Sequence, residues 1–267
     1  MKETLERELK LAVDDGFELP PLPVAITPRR LRATYHDTAD HRLARHGVTL
    51  RRRSEDGRDL WQLELPADGD RLELEWEADE SEIPAEVAGL VTAYVRGRPL
   101  RPVAELHTVR RSVRVTSGGR PAAEVVHDTV DVLQGSRVVR SFAEVEIEQL
   151  AAGASGLMTR LERQLRAVGA RRSDGRPKVF QALDLPAPGH ARLKRGAPAI
   201  EHLRAYLLTQ VESLLQNDPV TRRGGSHGVH AMRVATRRMR SALKEARRLL
   251  DPDWVRDPQP KEQPSPV

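Results

Sequence analysis

The chain contains no cysteine, which excludes a disulfide framework and any thiolate zinc site. Aromatic residues make up only 3% of it. That is too few for the stacking platforms that hold single-stranded nucleic acids, so nucleic acid is disfavoured as a partner. No apolar run approaches the roughly 20 residues that cross a bilayer, so no membrane partner is expected. Met1-Lys2-Glu3-Thr4 opens on alternating charge rather than on the apolar stretch of a secretory signal; with the missing cysteine, this makes the cytoplasm the expected location. There is no serine nucleophile elbow. The histidines are scattered, and His36 and His41 are not spaced as a helical metal pair. Gly118-Gly119 is too short to cradle phosphate and reads as a hairpin turn.

What the chain has is charge. Of its 267 residues 31% are charged, the net charge is +5 and the isoelectric point is about 9.9. Arginine far outnumbers lysine. Guanidinium groups suit bidentate phosphate recognition, but a coding bias explains the ratio equally well; the positions of the charges say more than their number.

Residues 1 to about 150 read mainly as strands. Leu5, Arg7, Leu9 and Leu11 alternate with Glu6, Glu8 and Lys10. Further short strands are expected at Val48–Arg53, Trp61–Leu65, Leu72–Trp76, Val113–Val115, Glu124–Val132 and Ala143–Leu150. Turn signals stand between some of them, at Glu55-Asp56-Gly57, Ala67-Asp68-Gly69-Asp70 and Ser117-Gly118-Gly119. Ile83–Val95 and Met158–Val168 read as helices. The Pro/Gly stretch Leu185-Pro186-Ala187-Pro188-Gly189 marks a boundary. Beyond it Ile200, Leu203, Leu207, Val211, Leu214 and Leu215 recur at helical spacing. Asn217-Asp218-Pro219 is expected to stop that helix, and a second runs from about Val229 to Leu250. The expected organisation is a domain at 1–185, a linker at 186–197, a helical segment at 198–256 and a Pro-rich disordered tail at 257–267.

Side chains on a strand alternate between its faces. Glu6, Glu8 and Lys10 therefore share a face, as do Glu144, Glu146 and Glu148, and as do Arg51 and Arg53. Arg110 falls with Ser112 and Arg114. Strands with one charged and one apolar face have two solutions: a sheet with a wet outer face, or a closed barrel whose charged faces look inward onto a ligand. Closely spaced carboxylates repel, so the inward arrangement needs cations, and hard oxygen ligands suit Mg²⁺ or Mn²⁺. Carboxylates, divalent metal and arginines together are the apparatus of phosphoryl transfer.

Glu6-Arg7-Glu8-Leu9-Lys10 resembles the ExExK signature of the CYTH superfamily, the triphosphate tunnel metalloenzymes. The resemblance continues through Tyr35-His36-Asp37-Thr38, Leu43–Arg53, Trp61-Gln62-Leu63, Thr108-Val109-Arg110-Arg111, Asp128, Glu144–Glu148 and Pro177-Lys178. It implies an α+β fold: an eight-stranded antiparallel β-barrel forming a tunnel, with flanking helices. It implies hydrolysis of inorganic tripolyphosphate or of a nucleoside or thiamine triphosphate. Glu6, Glu8 and Lys10 would be catalytic. Glu6, Glu8, Asp128, Glu144, Glu146 and Glu148 would hold Mg²⁺ or Mn²⁺. Arg51, Arg53, Arg110 and Lys178, with Lys10, would bind the phosphates. One departure stands out. The family strand after the arginine pair usually reads Trp-x-Leu-Lys, whereas this chain has Glu64. Unless Arg71 or another basic residue substitutes for the lysine, substrate affinity should fall, or Glu64 turns outward. The run Glu73-Leu74-Glu75-Trp76-Glu77 reads mostly as a solvated or salt-bridged face, with tunnel lining as the lesser alternative.

In the helical segment His230, Arg233, Arg237, Arg240 and Lys244 fall at steps of three or four and form one basic face. Met232, Ala235, Met239, Leu243, Ala246 and Leu250 form an apolar stripe beside it. Val229–Leu243 resembles the opening motif of CHAD domains, all-helical modules that bind inorganic polyphosphate. The resemblance implies polyphosphate binding by His230, Arg233, Arg237, Arg238, Arg240 and Lys244. Two helices are fewer than a complete bundle of that kind, so a truncated helical hairpin is expected. It would dock, self-associate or stay partly mobile, and a homodimer is left open. The rival readings are a non-catalytic polyphosphate-binding protein and a class IV-type adenylate cyclase.

Overall fold

The computed structural model describes residues 1–14, 16–20, 24–67, 70–77, 82–186 and 193–250. The chain separates into two compact units, Met1–Gly189 and His190–Val267. The expected tail at 257–267, the end of the helical segment at 251–256, linker positions 187–192 and the turn residues Asp68-Gly69 lie outside the described residues.

The first unit contains β1 (Lys2–Glu6), β2 (Glu8–Ala12), β3 (Val24–Asp37), α1 (Arg42–Arg45), β4 (Thr49–Glu55), β5 (Arg58–Ala67) and β6 (Asp70–Glu77). After these come α2 (Ala85–Leu90), α3 (Thr92–Val95), β7 (Arg101–Ser117), β8 (Arg120–Gln134), β9 (Arg137–Gln149), α4 (Ser155–Ala167), β10 (Arg171–Arg172) and α5 (Lys178–Ala182). The strands form one antiparallel sheet in the order β1-β6-β5-β4-β3-β7-β8-β9-β2-β10. β1 and β2 are consecutive in sequence, yet one pairs with β6 and the other with β9. The N-terminal segment therefore closes the sheet on itself, and the result is a barrel.

Among the described residues ten strands are present where eight were expected. The N-terminal strand changes partner at Arg7, whose carbonyl accepts from the Gln149 amide at 2.9 Å. The two-residue β10 then adds a short edge beside β2. β3 has no counterpart in the sequence reading. Pro28 and the arginines around it hide its alternation, and the pairing with β7 shifts register between Ile26 and Arg29. The expected helix over 83–95 is two short helices parted at Val91. There the Thr92 hydroxyl donates to the carbonyls of Ala88 and Gly89, a local bond that competes with helix propagation. The two-residue turns behave as expected: Asp56-Gly57 and Gly118-Gly119 all have positive φ, as primed hairpin turns require.

The apolar faces lie outside the barrel, under helices. Leu11, Val125, Val145 and Ile147 pack against Leu161 and Leu165, one turn apart on α4. On the opposite wall Trp61, Leu63 and Leu74 are fully buried, and Trp76 Nε1 donates to Glu86 of α2 at 2.8 Å. Each such side chain contributes about 1.5–3 kcal/mol by leaving water. Covering the outer faces leaves the charged faces nowhere to go but inward. Leu5 is an exception: it is 55% exposed, whereas Leu9 is partly buried and Leu11 fully buried.

The second unit is a helical hairpin, α6 (Ala199–Arg222) and α7 (Ser226–Glu245), followed by a 3₁₀ turn at Ala246–Leu249. Pro219 does not stop α6; it sits inside it. The helix survives because flanking bonds hold the turn. Asn217 Nδ2 donates to the Ser213 carbonyl at 2.8 Å and Thr221 Oγ1 to the Asn217 carbonyl at 2.9 Å. The stop comes at Gly224, with φ +84°. The helices approach closely at Gly228, where an added Cβ would stand 2.5 Å from Thr221 Oγ1. None of the helices among the described residues is long and apolar enough to cross a membrane.

Candidate active site

The inward faces of the strands meet around a cavity of about 130 Å³. β1 and β2 supply Glu6, Glu8 and Lys10; β4 supplies Arg51 and Arg53; β7 and β8 supply Arg110 and Asp128. β9 supplies Glu146 and Glu148, and the start of α5 supplies Lys178. Every site residue expected in the first unit is thus brought to this one place, with Glu144 just behind the lining, 2.6 Å from Lys178 Nζ.

The residues fall into two linked sets. In the first, Arg110 grips Asp128 with two hydrogen bonds, at 2.9 and 2.7 Å, and reaches Glu146 at 3.2 Å. Lys178 Nζ contacts Glu144, Glu146 and Asp128 at 2.6, 2.9 and 3.1 Å. Lys10 Nζ lies 2.6 Å from Glu146 and 3.5 Å from Glu8. Carboxylate oxygens of Asp128, Glu144 and Glu146 all lie within 4.8 Å of one another, and all three residues are buried. Burial alone would raise the Glu146 carboxyl, but Lys10, Lys178 and Arg110 outweigh it and hold the group well below the usual range.

The second set centres on Glu64. It faces inward rather than outward, with Oε1 3.0 Å from Arg51 and Oε2 3.1 Å from Arg71. Burial pushes this carboxyl up, but Arg51, Arg71 and Lys10 pull it to about 2. Arg51 also donates to Gln62 at 2.8 Å and to Tyr35 Oη at 3.0 Å. For Glu73 the lesser alternative holds: it lines the cavity, salt-bridged to Arg51 at 3.6 Å. Glu75 is held by Gln62 and Lys2, and Glu77 by Arg58. Sequence reasoning assigned Glu73, Arg71 and Tyr35 no firm part in the site. Parity would have placed the first two, because Glu73 and Arg71 share a face and Glu73 pairs across to Glu64.

Eight carboxylates (Glu6, Glu8, Glu64, Glu73, Asp128, Glu144, Glu146, Glu148) face six cations (Lys10, Arg51, Arg53, Arg71, Arg110, Lys178) among the described residues. The imbalance shows in Glu6 and Glu148. Burial, then Glu73, Glu64, Glu8 and Glu148, push Glu6 up to about 8. Burial pushes Glu148 up to about 7, with Arg110 opposing. A surplus of two negative charges on hard oxygens is what one divalent cation neutralises, so the residues fit Mg²⁺ or Mn²⁺.

In the hairpin, Arg233, Arg237, Arg240 and Lys244 line one groove with Met232 and Leu243. His230 and Arg238 are exposed outside that groove.

A family model of the CYTH domain matches residues 4–166, and one of the CHAD domain matches residues 205–260. Two curated relatives, both described as uncharacterized proteins of Mycobacterium tuberculosis (strains CDC 1551 / Oshkosh and H37Rv), are each 31% identical over 251 residues. The match takes in 86% of this chain and 48% of each relative, so the chain spans about half the length of the curated relatives it matches. Among solved structures, a candidate adenylate cyclase of Bacillus halodurans is 17% identical over 68% of this chain and 98% of its own, with a TM-score of 0.47. A Hippeastrum protein, HpAC1, described as a candidate adenylyl cyclase with a dominant triphosphatase activity, is also 17% identical; it matches over 68% of this chain and 98% of its own, with a TM-score of 0.44.

Proposed function

The chain belongs to the CYTH domain family and carries CHAD-domain sequence behind it, and on that premise we propose that its barrel hydrolyses a triphosphate with the help of a divalent metal. The observation that carries this reading is the convergence of Lys10, Arg51, Arg53, Arg110 and Lys178 on the cavity that also holds the carboxylate surplus. Glu6, Glu8 and Glu148, with the Asp128–Glu144–Glu146 cluster, are the residues proposed to hold Mg²⁺ or Mn²⁺. When bound, the metal supplies charge neutralisation and a more acidic water. The chain's own cations orient the phosphate oxygens and receive the charge that develops on them. A water oxygen bonds to the terminal phosphorus, the bridging P–O bond breaks, and the shortened chain leaves with the bonding electrons. The water's proton goes to the Glu6–Glu8 carboxylates. The hairpin's basic groove would hold inorganic polyphosphate, since a stripe of like charge is relieved by a polyanion.

A second reading is a polyphosphate-binding protein without turnover, and Glu64 favours it. A carboxylate already spans Arg51 and Arg71, so an incoming anion must compete for both. A class IV-type cyclase is a third reading, which no specific observation among the described residues favours. Phosphate release from tripolyphosphate with Mg²⁺ or Mn²⁺ separates the first two. Release that vanishes in the Glu6→Gln/Glu8→Gln double variant supports the enzyme. No release above that variant, with polyphosphate still bound tightly, supports the binding module.

A further inference from the structure

Lys178 is the first residue of α5, directly after Pro177. A helix N-terminus carries partial positive charge, so a lysine stands at the unfavourable end. Its side chain is nevertheless buried, only 9% exposed. What holds it there is the acidic triad: Nζ lies 2.6 Å from Glu144, 2.9 Å from Glu146 and 3.1 Å from Asp128. An ammonium has three N–H donors and no acceptor, and here three carboxylates surround it. The same helix grips Glu144 a second time. Gln181, nearly one turn on, donates Nε2 to Glu144 Oε2 at 2.6 Å, and Arg140 fastens the Gln181 carbonyl at 2.7 Å. Between them Val179 and Phe180 are buried against Tyr35, Leu106 and Val130. The backbone of α5 is thus fixed and aims Lys178 at the triad.

The charges around the triad cancel. Asp128, Glu144 and Glu146 are met by Lys178, by Arg110 on Asp128 and Glu146, and by Lys10 on Glu144 and Glu146. Among the described residues the rest of the cavity sets Glu6, Glu8, Glu64, Glu73 and Glu148 against Arg51, Arg53 and Arg71. The surplus of two negative charges therefore lies wholly outside the triad, and a divalent ion is drawn there first. Inside the triad such an ion needs the carboxylate oxygens at about 2.1 Å. That is the place the ammonium takes, and two cations that close repel each other strongly.

We propose that Lys178 is the resident cation of the Asp128–Glu144–Glu146 triad, so that a divalent ion enters the triad only when the ammonium leaves it. The first ion taken up goes to the side of Glu6, Glu8 and Glu148. This rests on the reading of the cavity as a metal site and divides its ligands into an open set and a set closed by Lys178. While Lys178 stays in the triad it has no N–H left for a phosphate oxygen, so it serves the substrate only on moving out.

The test counts Mn²⁺ bound to the full chain by the loss of the free-ion paramagnetic resonance signal. The wild type is expected to bind one ion per chain, with any second at least about tenfold weaker. Lys178→Met, similar in length but uncharged, is expected to bind two of comparable affinity, and adding Glu144→Gln to it should return the count to one. Lys178→Gln, whose amide still donates to the carboxylates, takes its place if Lys178→Met gives no cooperative melt. Two equally tight ions in the wild type, or a single ion in both neutral variants, overturns the role of Lys178 while leaving the metal reading intact. No bound Mn²⁺ in any of these proteins overturns the metal reading and this inference together.

Discussion

Arg71 on β6 closes on Glu64 of β5 at 3.1 Å, and its Nε lies 3.4 Å from Glu8. The guanidinium thus stands where related tunnels are expected to place a lysine one strand away. Arg71→Ala leaves Glu64 with Arg51 as its main partner, and the loss of a charged hydrogen bond costs about 2 kcal/mol. Adding Glu64→Gln to that variant recovers part of the loss, because the uncompensated charge is gone. Denaturant melts of the single and double variants check this; strictly additive costs show that the two residues are not coupled.

Stability in the absence of metal should fall as pH rises. Glu6 and Glu148 have folded-state values raised to about 8 and about 7, above the ordinary carboxyl value. Across the window from about 4.5 to about 8 the native state holds more protons than the unfolded chain, so stability decreases with pH there. Glu64 acts with the opposite sign: its contribution is present above the ordinary value and is lost as pH falls toward about 2. Melting temperature against pH, with chelator and with Mn²⁺, checks both. Metal should flatten the upper window by replacing the protons, and a flat chelator profile from pH 5 to 8 counts against the charge surplus.

Asp37 caps α1 from outside the helix. Its carboxylate accepts from the amides of Leu43 and Ala44 at 2.9 and 3.0 Å, and the Thr38 hydroxyl accepts from Arg42 at 3.0 Å. Asp37→Ala orphans buried donors and should cost about 1–3 kcal/mol. Asp37→Asn should cost less, and an equilibrium melt separates the two.

The hairpin offers a backbone test. At Gly228 a methyl group would meet Thr221 Oγ1 at 2.5 Å and the Asn217 carbonyl at 3.0 Å. Gly228→Ala should therefore loosen α6 from α7 by about 1–3 kcal/mol. Loss of helical circular dichroism at a lower temperature in the full chain is the measurement.

In the same hairpin, Arg233→Ala with Arg237→Ala should weaken polyphosphate binding more than Arg238→Ala, since only the first two line the groove. The gap should shrink at high salt. Titration at two ionic strengths checks this.

Much of the site was legible because alternation is a local property. Once Glu144, Glu146 and Glu148 were known to share a strand face, their company with Lys10 needed only the pairing of β2 with β9. What stayed hidden depended on tertiary cover. Glu73 and Glu75 share a face, yet Glu73 is buried among charges while Glu75 lies nearer solvent, and no window of sequence distinguishes them. Leu5 looked like Leu9 and Leu11 because periodicity does not say where helices lie on a barrel. β3 escaped notice because arginine and proline dilute its pattern. Pro219 misled because its cost to a helix is offset by side-chain bonds that propensity does not count.

The break at Arg7 has a consequence for how the molecule is made. The first strand emerges from the ribosome before any partner exists: β6 follows some 70 positions later, and Glu148, opposite Glu8, some 140 positions later. Contacts of such separation form slowly. The acidic pair Glu6 and Glu8 must wait, unpaired and hydrated, until β9 has been synthesised. Their docking is then the seam that finishes the cylinder, so an incomplete or misregistered nascent chain holds no assembled centre to act prematurely.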